Sequence, residues 1–310
     1  MIKKILVTGA TGMIGRNLVK KLIKEGALVK ILTTNPEKAK RIFKNEYAKE
    51  IYNRVNYDEP GTLYKLLEDV DSIINLAGTN VAYKRWSEEF KKDIFKSRID
   101  NTKLIVDALS YCDKFPECLI NASGVGYYGF RGDEILNEES DPGNDFLAQV
   151  CRDWEKEALK AADLGVRVVN IRTGIVLDKN EGALKEMIAT FKYKFGVYQG
   201  NGKQWFSWVH IDDIVSMYIF ALQSSNISGA VNGSSPDPVS NKKFIETIAG
   251  ILNVKMILPV PEFVLKIAIG EFAKNLCTGQ RVNPEVLKKG NFKFAFPELK
   301  PALENILISK

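Results

Sequence analysis

Histidine is nearly missing from this chain: His210 is the only one among 310 residues. Cysteine is scarce too. Cys112, Cys118, Cys151 and Cys277 are the four present, and no two of them form a CxxC pair. A Cys/His zinc site is therefore not supported, no metal is expected, and the thiols read as the reduced residues of a cytoplasmic protein. No apolar run reaches the ~18 residues that a membrane span needs. The opening MIKKILVTGA is strand-like and has no signal-peptide layout, so export is not expected. Clustered basic segments are lacking as well. The 44 Lys+Arg and 38 Asp+Glu leave a net charge of +6, spread along the chain. That distribution argues against a nucleic-acid partner and suits an anionic small-molecule substrate. No pattern specifies an oligomer.

What is present is ordinary globular material, 45% hydrophobic and 26% charged, long enough for one large domain or two intimately packed ones. Through about residue 175, short β-branched apolar runs (residues 2–7, 28–32, 72–76, 117–121 and 166–171) alternate with helix-like stretches near 13–25, 37–43, 62–68, 88–109 and 145–163. Such alternation predicts an α/β fold: a Rossmann-type parallel sheet with helices on both faces. Beyond that point Gly and Pro become frequent and short helices are expected near 211–223, 241–252, 262–276, 284–289 and 299–307. The expected organisation is a dinucleotide-binding domain over 1–175, with return segments near 205–232, and a smaller substrate lobe over 176–310.

The strongest local signal is Thr8-Gly9-Ala10-Thr11-Gly12-Met13-Ile14-Gly15, placed after a strand and opening a helix. Gly9 permits a tight turn, Gly12 lets the backbone approach a pyrophosphate, and Gly15 lets helix and strand pack closely. The main-chain N–H groups of the helix start, from Thr11 through Ile14, would hold phosphates. At the tip of the second strand stand Thr33 and Thr34, with no acidic residue to bond a ribose 2′-hydroxyl. Arg16, Lys38 and Arg41 are nearby cations. NADP is therefore the expected cofactor, with NAD the alternative. Asn75-Leu76-Ala77-Gly78 closes a third apolar run, and its small residues suit close approach to a cofactor.

These residues resemble the extended branch of the short-chain dehydrogenase/reductase superfamily. TGATGMIG is similar to that branch's TGxxGxxG and NLAG to its second cofactor motif. The likeness continues through Ser97-Arg98, Asn121-Ala122-Ser123-Gly124, Tyr127-Tyr128-Gly129, Arg172-Thr173-Gly174 and Trp208-Val209-His210-Ile211-Asp212-Asp213. More specifically, the whole chain resembles an atypical family described as sugar-nucleotide epimerases and sometimes labelled cell-division-inhibitor-like. Lys84-Arg85-Trp86, Asp153-Trp154-Glu155, the run from Gly200 to Trp208 and Thr278-Gly279-Gln280-Arg281-Val282 carry that likeness. The resemblance implies an NADP-dependent oxidoreductase or epimerase acting on a nucleotide sugar or similar anionic molecule, with Arg172 among the cofactor contacts. Family members often carry Arg at the position of Thr34, which leaves Arg16 to meet a 2′-phosphate.

The superfamily's chemistry uses a Tyr with Lys four residues later, a spacing that puts both on one helix face. None of the eleven tyrosines has that partner. Phe146 or Leu147 stands in the Tyr region and Val150 or Cys151 in the Lys region. Ser123 lies at the superfamily's Ser/Thr position, and Tyr127 and Tyr128 follow on the next loop, so these three are the candidate catalytic residues; aromatic packing is the competing role of the tyrosines. Cys151 reads as a packed thiol before a nucleophile. Arg85 and Trp86, with Gln204, Trp205, Trp208 and His210 of the lobe, are the candidate substrate contacts, and Arg98 and Arg281 are further candidates for binding anionic groups. Core packing competes for the tryptophans, and a structural hydrogen bond to Asp213 or backbone competes for His210. A cofactor-binding regulatory or redox-sensing protein without turnover is the alternative function.

Overall fold

The computed structural model describes residues 3–47 and 50–308, so Ile2 of the first expected strand lies outside the described residues. The first half runs β1 (Lys4–Thr8), α1 (Met13–Lys24), β2 (Leu28–Thr33), α2 (Pro36–Tyr47), β3 (Glu50–Asn53), α3 (Pro60–Leu67), β4 (Ser72–Asn75), α4 (Glu88–Leu109) and β5 (Cys118–Gly124). Then come β6 (Ile135–Leu136), α5 (Phe146–Leu159), β7 (Arg167–Thr173), β8 (Ile175–Leu177), α6 (Gly182–Ile188), β9 (Phe195–Gln199), β10 (Trp205–Phe206), β11 (Trp208–His210) and α7 (Ile211–Gln223). The chain ends with β12 (Gly229–Gly233), β13 (Val239–Ser240), α8 (Asn241–Ile251), β14 (Met256–Val260), α9 (Glu262–Ile269), α10 (Ala273–Cys277), β15 (Arg281–Val282), α11 (Glu285–Lys289) and α12 (Leu299–Ile308).

Seven strands form one parallel sheet in the order β12-β7-β5-β4-β1-β2-β3, the Rossmann arrangement that the sequence predicts. Successive side chains of a strand point to opposite faces. Ile5 and Val7 of β1, Ile74 of β4, Ile120 of β5 and Val169 of β7 accordingly pack with α1 and α7 in one core. Leu6, Ile73, Leu119 and Val168 pack with α3 and α4 in the other. With both faces covered, the strands read as continuous apolar runs. The sequence reading missed β3, which is four residues long, half-buried and placed at the sheet edge, so its periodicity is weak.

A third core, built from Leu177, Leu184, Phe206, Trp208, Phe244, Ile248 and Leu303, holds the C-terminal lobe together. Trp208 is fully buried and its indole donates to the Asp237 carbonyl at 2.8 Å, so it belongs to that core and not to a substrate surface. Among the described residues no helix is long and apolar enough to cross a membrane.

Candidate functional site

Where β1 and β4 turn to opposite sides of the sheet, the strand ends open a crevice, the usual ligand position in open α/β folds. One wall is the turn after β1. Gly9 has φ +66°, and a Cβ there would sit 2.5 Å from the Leu76 main chain, so only glycine lets this turn lie against the end of β4. A Cβ on Gly15 would sit 2.4 Å from the Gly9 carbonyl oxygen, so glycine is also what seats α1 on the turn. Gly12 differs: a Cβ would meet only the Gly9 oxygen, at 3.4 Å, leaving open space above the backbone. Gly12 caps α1 without a side-chain hydrogen bond, and the first turn holds no acidic residue. The N–H groups and the positive end of the helix thus face that space uncompensated, which fits an anionic group. Met13 packs beside Gly182, bringing the start of α6 over the turn.

Thr33 is buried and its hydroxyl accepts from the Asn35 N–H at 3.1 Å, while Thr34 is exposed. Asn35 caps α2 by accepting from the Lys38 N–H at 2.9 Å, leaving the Lys38 and Arg41 side chains exposed beside the strand tip. Arg16, the cation the sequence reading favours for a 2′-phosphate, is engaged by Glu181 at 2.5 Å. Lys38 and Arg41 are the cations that the structure leaves near Thr33 and Thr34.

The floor is polar. Asn75, Asn121 and Asn170 stand in register on β4, β5 and β7. Thr8 donates to Asn75 (2.6 Å), Asn75 to Asn121 (2.8 Å) and Asn121 to Asn170 (3.1 Å). Asn75 also donates to Thr102 of α4, which accepts from the indole N–H of Trp154 on α5. These buried, mutually satisfied groups tie α4 and α5 to the strand ends.

The other wall is β5, the loop after it and α5. Ser123 donates to Glu155 at 2.6 Å, and Glu155 takes both Nε and Nη2 of Arg172 at 2.9 Å. Arg172 Nη1 reaches the Tyr128 hydroxyl (3.0 Å) and the Glu138 carbonyl (3.1 Å), and Tyr128 donates to Asn232 at 2.6 Å. Burial works against the Arg172 charge, but the hydrogen bonds and charge of Glu155 overcome it and hold the proton more firmly than usual. Burial also pushes the Tyr128 phenol up to about 12. Arg172 is 4% exposed and all three guanidinium nitrogens are engaged, so it braces the wall rather than standing open as the cofactor contact inferred from the sequence. Ser123 and Tyr128 are equally committed. Tyr127 is less so: it is half-buried, its hydroxyl makes no well-formed hydrogen bond among the described residues, and the Arg172 guanidinium lies 3.4 Å over its ring. Burial raises its pKa, and the nearby Arg172 charge offsets this only in part.

Two registers on α5 are consistent with the sequence, and the structure separates them. Phe146 and Val150 pack with Trp86, Phe90 and Ile94, a cluster that Leu147 also touches. Leu147 lies against Gly126, and the Cys151 sulfur lies near Gly124. Leu147 and Cys151 therefore face the crevice. Burial holds the Cys151 thiol at a pKa of about 11, hence protonated.

The candidate substrate contacts divide. Trp86 is buried, with its indole donating to the Val81 carbonyl. Gln204 is buried and donates to the Gln199 and Leu276 carbonyls. His210 is 2% exposed, stacked on Phe296, and caps α7 by accepting from the Asp212 N–H at 3.1 Å. Its backbone partner is Asp212, while Asp213 accepts from the Ala295 and Phe296 N–H groups. These three, like Trp208, serve packing. Arg85 is exposed, with one bond to the Ile267 carbonyl. Trp205 is half-buried, bonded to Asp133 and stacked 4.3 Å from Arg281; Gln280 beside it donates to the Gly129 carbonyl. Glu138, Glu155 and Asn232 are missed by the sequence reading as functional groups, since nothing local shows that they converge. Among the described residues no set of three or more His, Cys, Asp or Glu side chains converges as a metal site would require.

Comparison with known proteins adds the family context. Residues 5–232 match the model of the NAD dependent epimerase/dehydratase family, and residues 260–306 match a domain of unknown function, DUF1731. The epimerase family protein SDR39U1 homolog of Arabidopsis thaliana, named as chloroplastic, is 39% identical over 98% of this chain and 86% of its own length. The human epimerase family protein SDR39U1, crystallised with NADPH, superposes with a TM-score of 0.86 at 27% identity, covering 99% of this chain and all of that one. A nucleoside-diphosphate sugar epimerase from Corynebacterium glutamicum gives 0.78 at 31% identity, over 99% of this chain and 58% of that one.

Proposed function

Since the chain belongs to the NAD dependent epimerase/dehydratase family, we propose that it is an NADP(H)-dependent oxidoreductase that reduces a carbonyl group on an anionic, nucleotide-linked small molecule. The uncapped, acid-free start of α1 above Gly12 is the observation that carries the cofactor half of this reading. The human relative bound to NADPH supports the choice of dinucleotide, as do the exposed Lys38 and Arg41 beside Thr33 and Thr34. When bound, the reduced nicotinamide supplies a hydride.

Direction follows from the proton inventory. Of Ser123, Tyr127 and Tyr128, Tyr127 is the one whose hydroxyl makes no well-formed hydrogen bond among the described residues, and burial keeps its proton on at neutral pH. A phenol in that state can donate to an oxygen that gains negative charge, and it is a poor base for removing a proton from an alcohol. Carbonyl reduction needs only the donation. Epimerisation would also need the removal, for which a Tyr-Lys pair is suited. Arg281 on the Trp205 face, with no carboxylate within ion-pair distance among the described residues, offers a guanidinium to a phosphate and an aromatic face to a base or sugar.

Calorimetry with NADPH and NADP⁺, followed by nicotinamide absorbance with a panel of anionic aldehydes, ketones and nucleotide sugars, tests this reading. Binding with turnover supports it, and absence of binding heat for either nucleotide overturns it. Binding without turnover across the panel supports a second reading, a cofactor-binding protein that reports occupancy to a partner. One feature favours that second reading: Leu147 and Cys151 face the crevice where proton-transferring groups would stand.

A further inference from the structure

If a dinucleotide occupies the crevice as proposed above, with its pyrophosphate at the start of α1, the part of it that reaches the end of β5 meets α5, which carries Leu147 and Cys151 there and no cation. The positive charge near that point comes from a different helix. Arg98, on α4, extends between the loop after β4 and the face of α5. A Cβ on Gly78 would lie 3.1 Å from its Cζ and 3.3 Å from its Nε, so Gly78 is what makes room for the guanidinium. On the other side the group lies 5.1 Å from the Trp154 ring, and Trp154 is itself pinned by its bond to Thr102. Cys151 lies one turn of α5 before Trp154.

The donors of this guanidinium are largely unspent. Its one hydrogen bond runs from Nη1 to the Ile94 carbonyl of its own helix, at 2.9 Å, and no carboxylate lies within 4.0 Å among the described residues. Burial lowers its pKa, and the nearby Cys151 offsets this only in part. A guanidinium carries five N–H donors in a planar fork. Holding one half-buried, stacked and without a counter-ion is unfavourable unless a ligand takes those donors. The contrast with Arg172, also stacked on an aromatic ring but saturated by Glu155 and Tyr128, is internal to the same crevice.

We propose that Arg98 supplies from α4 the fixed cation that α5 lacks, gripping the vicinal hydroxyls of the nicotinamide ribose with its free fork between Gly78 and Cys151. A planar fork matches two adjacent oxygens, and the Trp154 face fixes its plane. Arg98 is thus a cofactor-positioning residue that does from the neighbouring helix what a lysine at Cys151 would do.

Calorimetry on the full chain tests this with two ligands: NADPH, and the adenosine bisphosphate that carries the 2′-phosphate but lacks the nicotinamide half. Arg98→Met and Arg98→Gln should each weaken NADPH roughly tenfold or more and leave the adenosine fragment within about twofold. Arg98→Lys should recover part of the loss. Arg98→Met combined with Cys151→Lys, which moves the cation to α5, should recover most of it, an outcome that a merely structural role would not give. Wild-type NADPH affinity in both neutral variants overturns the assignment, as does equal loss of both ligands. If the unmodified protein binds neither ligand, the cofactor reading itself has failed and takes this one with it.

Discussion

The turn over residues 9–15 and the crevice wall between β5 and α5 lie at neighbouring strand ends, yet they are organised in opposite ways. The turn is local. Its geometry comes from three glycines within seven residues, each excluding or leaving space for main-chain atoms. The wall is assembled from afar: Ser123, Tyr128, Glu138, Glu155, Arg172 and Asn232 come from five segments and meet only because the sheet order brings β5, β7 and β12 together. A local site leaves a motif in the sequence, whereas a convergent one leaves isolated residues. The functional consequence differs too. The turn stays open for a ligand, while the wall spends most of its polar groups on itself and leaves Tyr127 and Arg98 with unused donors.

Substitutions break this comparison in order of size. Glu155→Ala strands a buried Arg172 without its carboxylate and is expected to cost about 3–5 kcal/mol, read as a lower urea midpoint. Adding Arg172→Met should restore part of that loss, because the two side chains form one unit. Gly9→Val forces a left-handed backbone on a branched residue and drives Cβ into Leu76; about 3 kcal/mol is expected, together with loss of cofactor heat. A protein of unchanged midpoint would show that the turn relaxes freely.

The two tyrosines sharpen the contrast within the wall. Tyr128→Phe takes from buried Asn232 Oδ1 its hydrogen-bond donor and from Arg172 Nη1 one of its acceptors, and should lower stability by about 1–3 kcal/mol. Tyr127→Phe removes a hydroxyl without a well-formed hydrogen bond, so stability should hold within about 0.5 kcal/mol while any turnover falls roughly a hundredfold. Equal stability losses for both would place Tyr127 in the network.

The smallest effect is expected outside both regions, at His210. Burial lowers its pKa, so the folded chain binds fewer protons there than the unfolded chain. Its contribution is therefore complete above the ordinary histidine value of about 6.5 and declines as pH falls below it. His210→Asn keeps a side-chain acceptor for the Asp212 N–H and should flatten the stability profile below about pH 6.5, with turnover unchanged.

Much of the fold is legible beforehand because both faces of each central strand are apolar and each helix carries one apolar stripe. Runs such as Ile5-Leu6-Val7 supply both cores at once. β3 escaped because an edge strand of four half-buried residues carries no such run. In the site, the roles of Gly9, Gly12 and Gly15 follow from chain-local geometry. The roles of Arg16, Trp86, Gln204, Trp208 and His210 do not, because a side chain that can bind a ligand can equally bind the protein. Arg16 found Glu181, more than 160 positions away, and His210 found Phe296 and Asn305.

The amino-acid sequence by itself determined the parallel sheet and the glycine turn after β1, because alternation of apolar residues and the absence of Cβ atoms act over a few neighbouring positions. It also determined that no tyrosine has its usual lysine. Only the tertiary structure decided which polar groups are used up and which remain available. Hydrogen-bond capacity is finite, and whether Arg172 or Arg98 still has donors to offer depends on what the folded chain places within three ångströms of each.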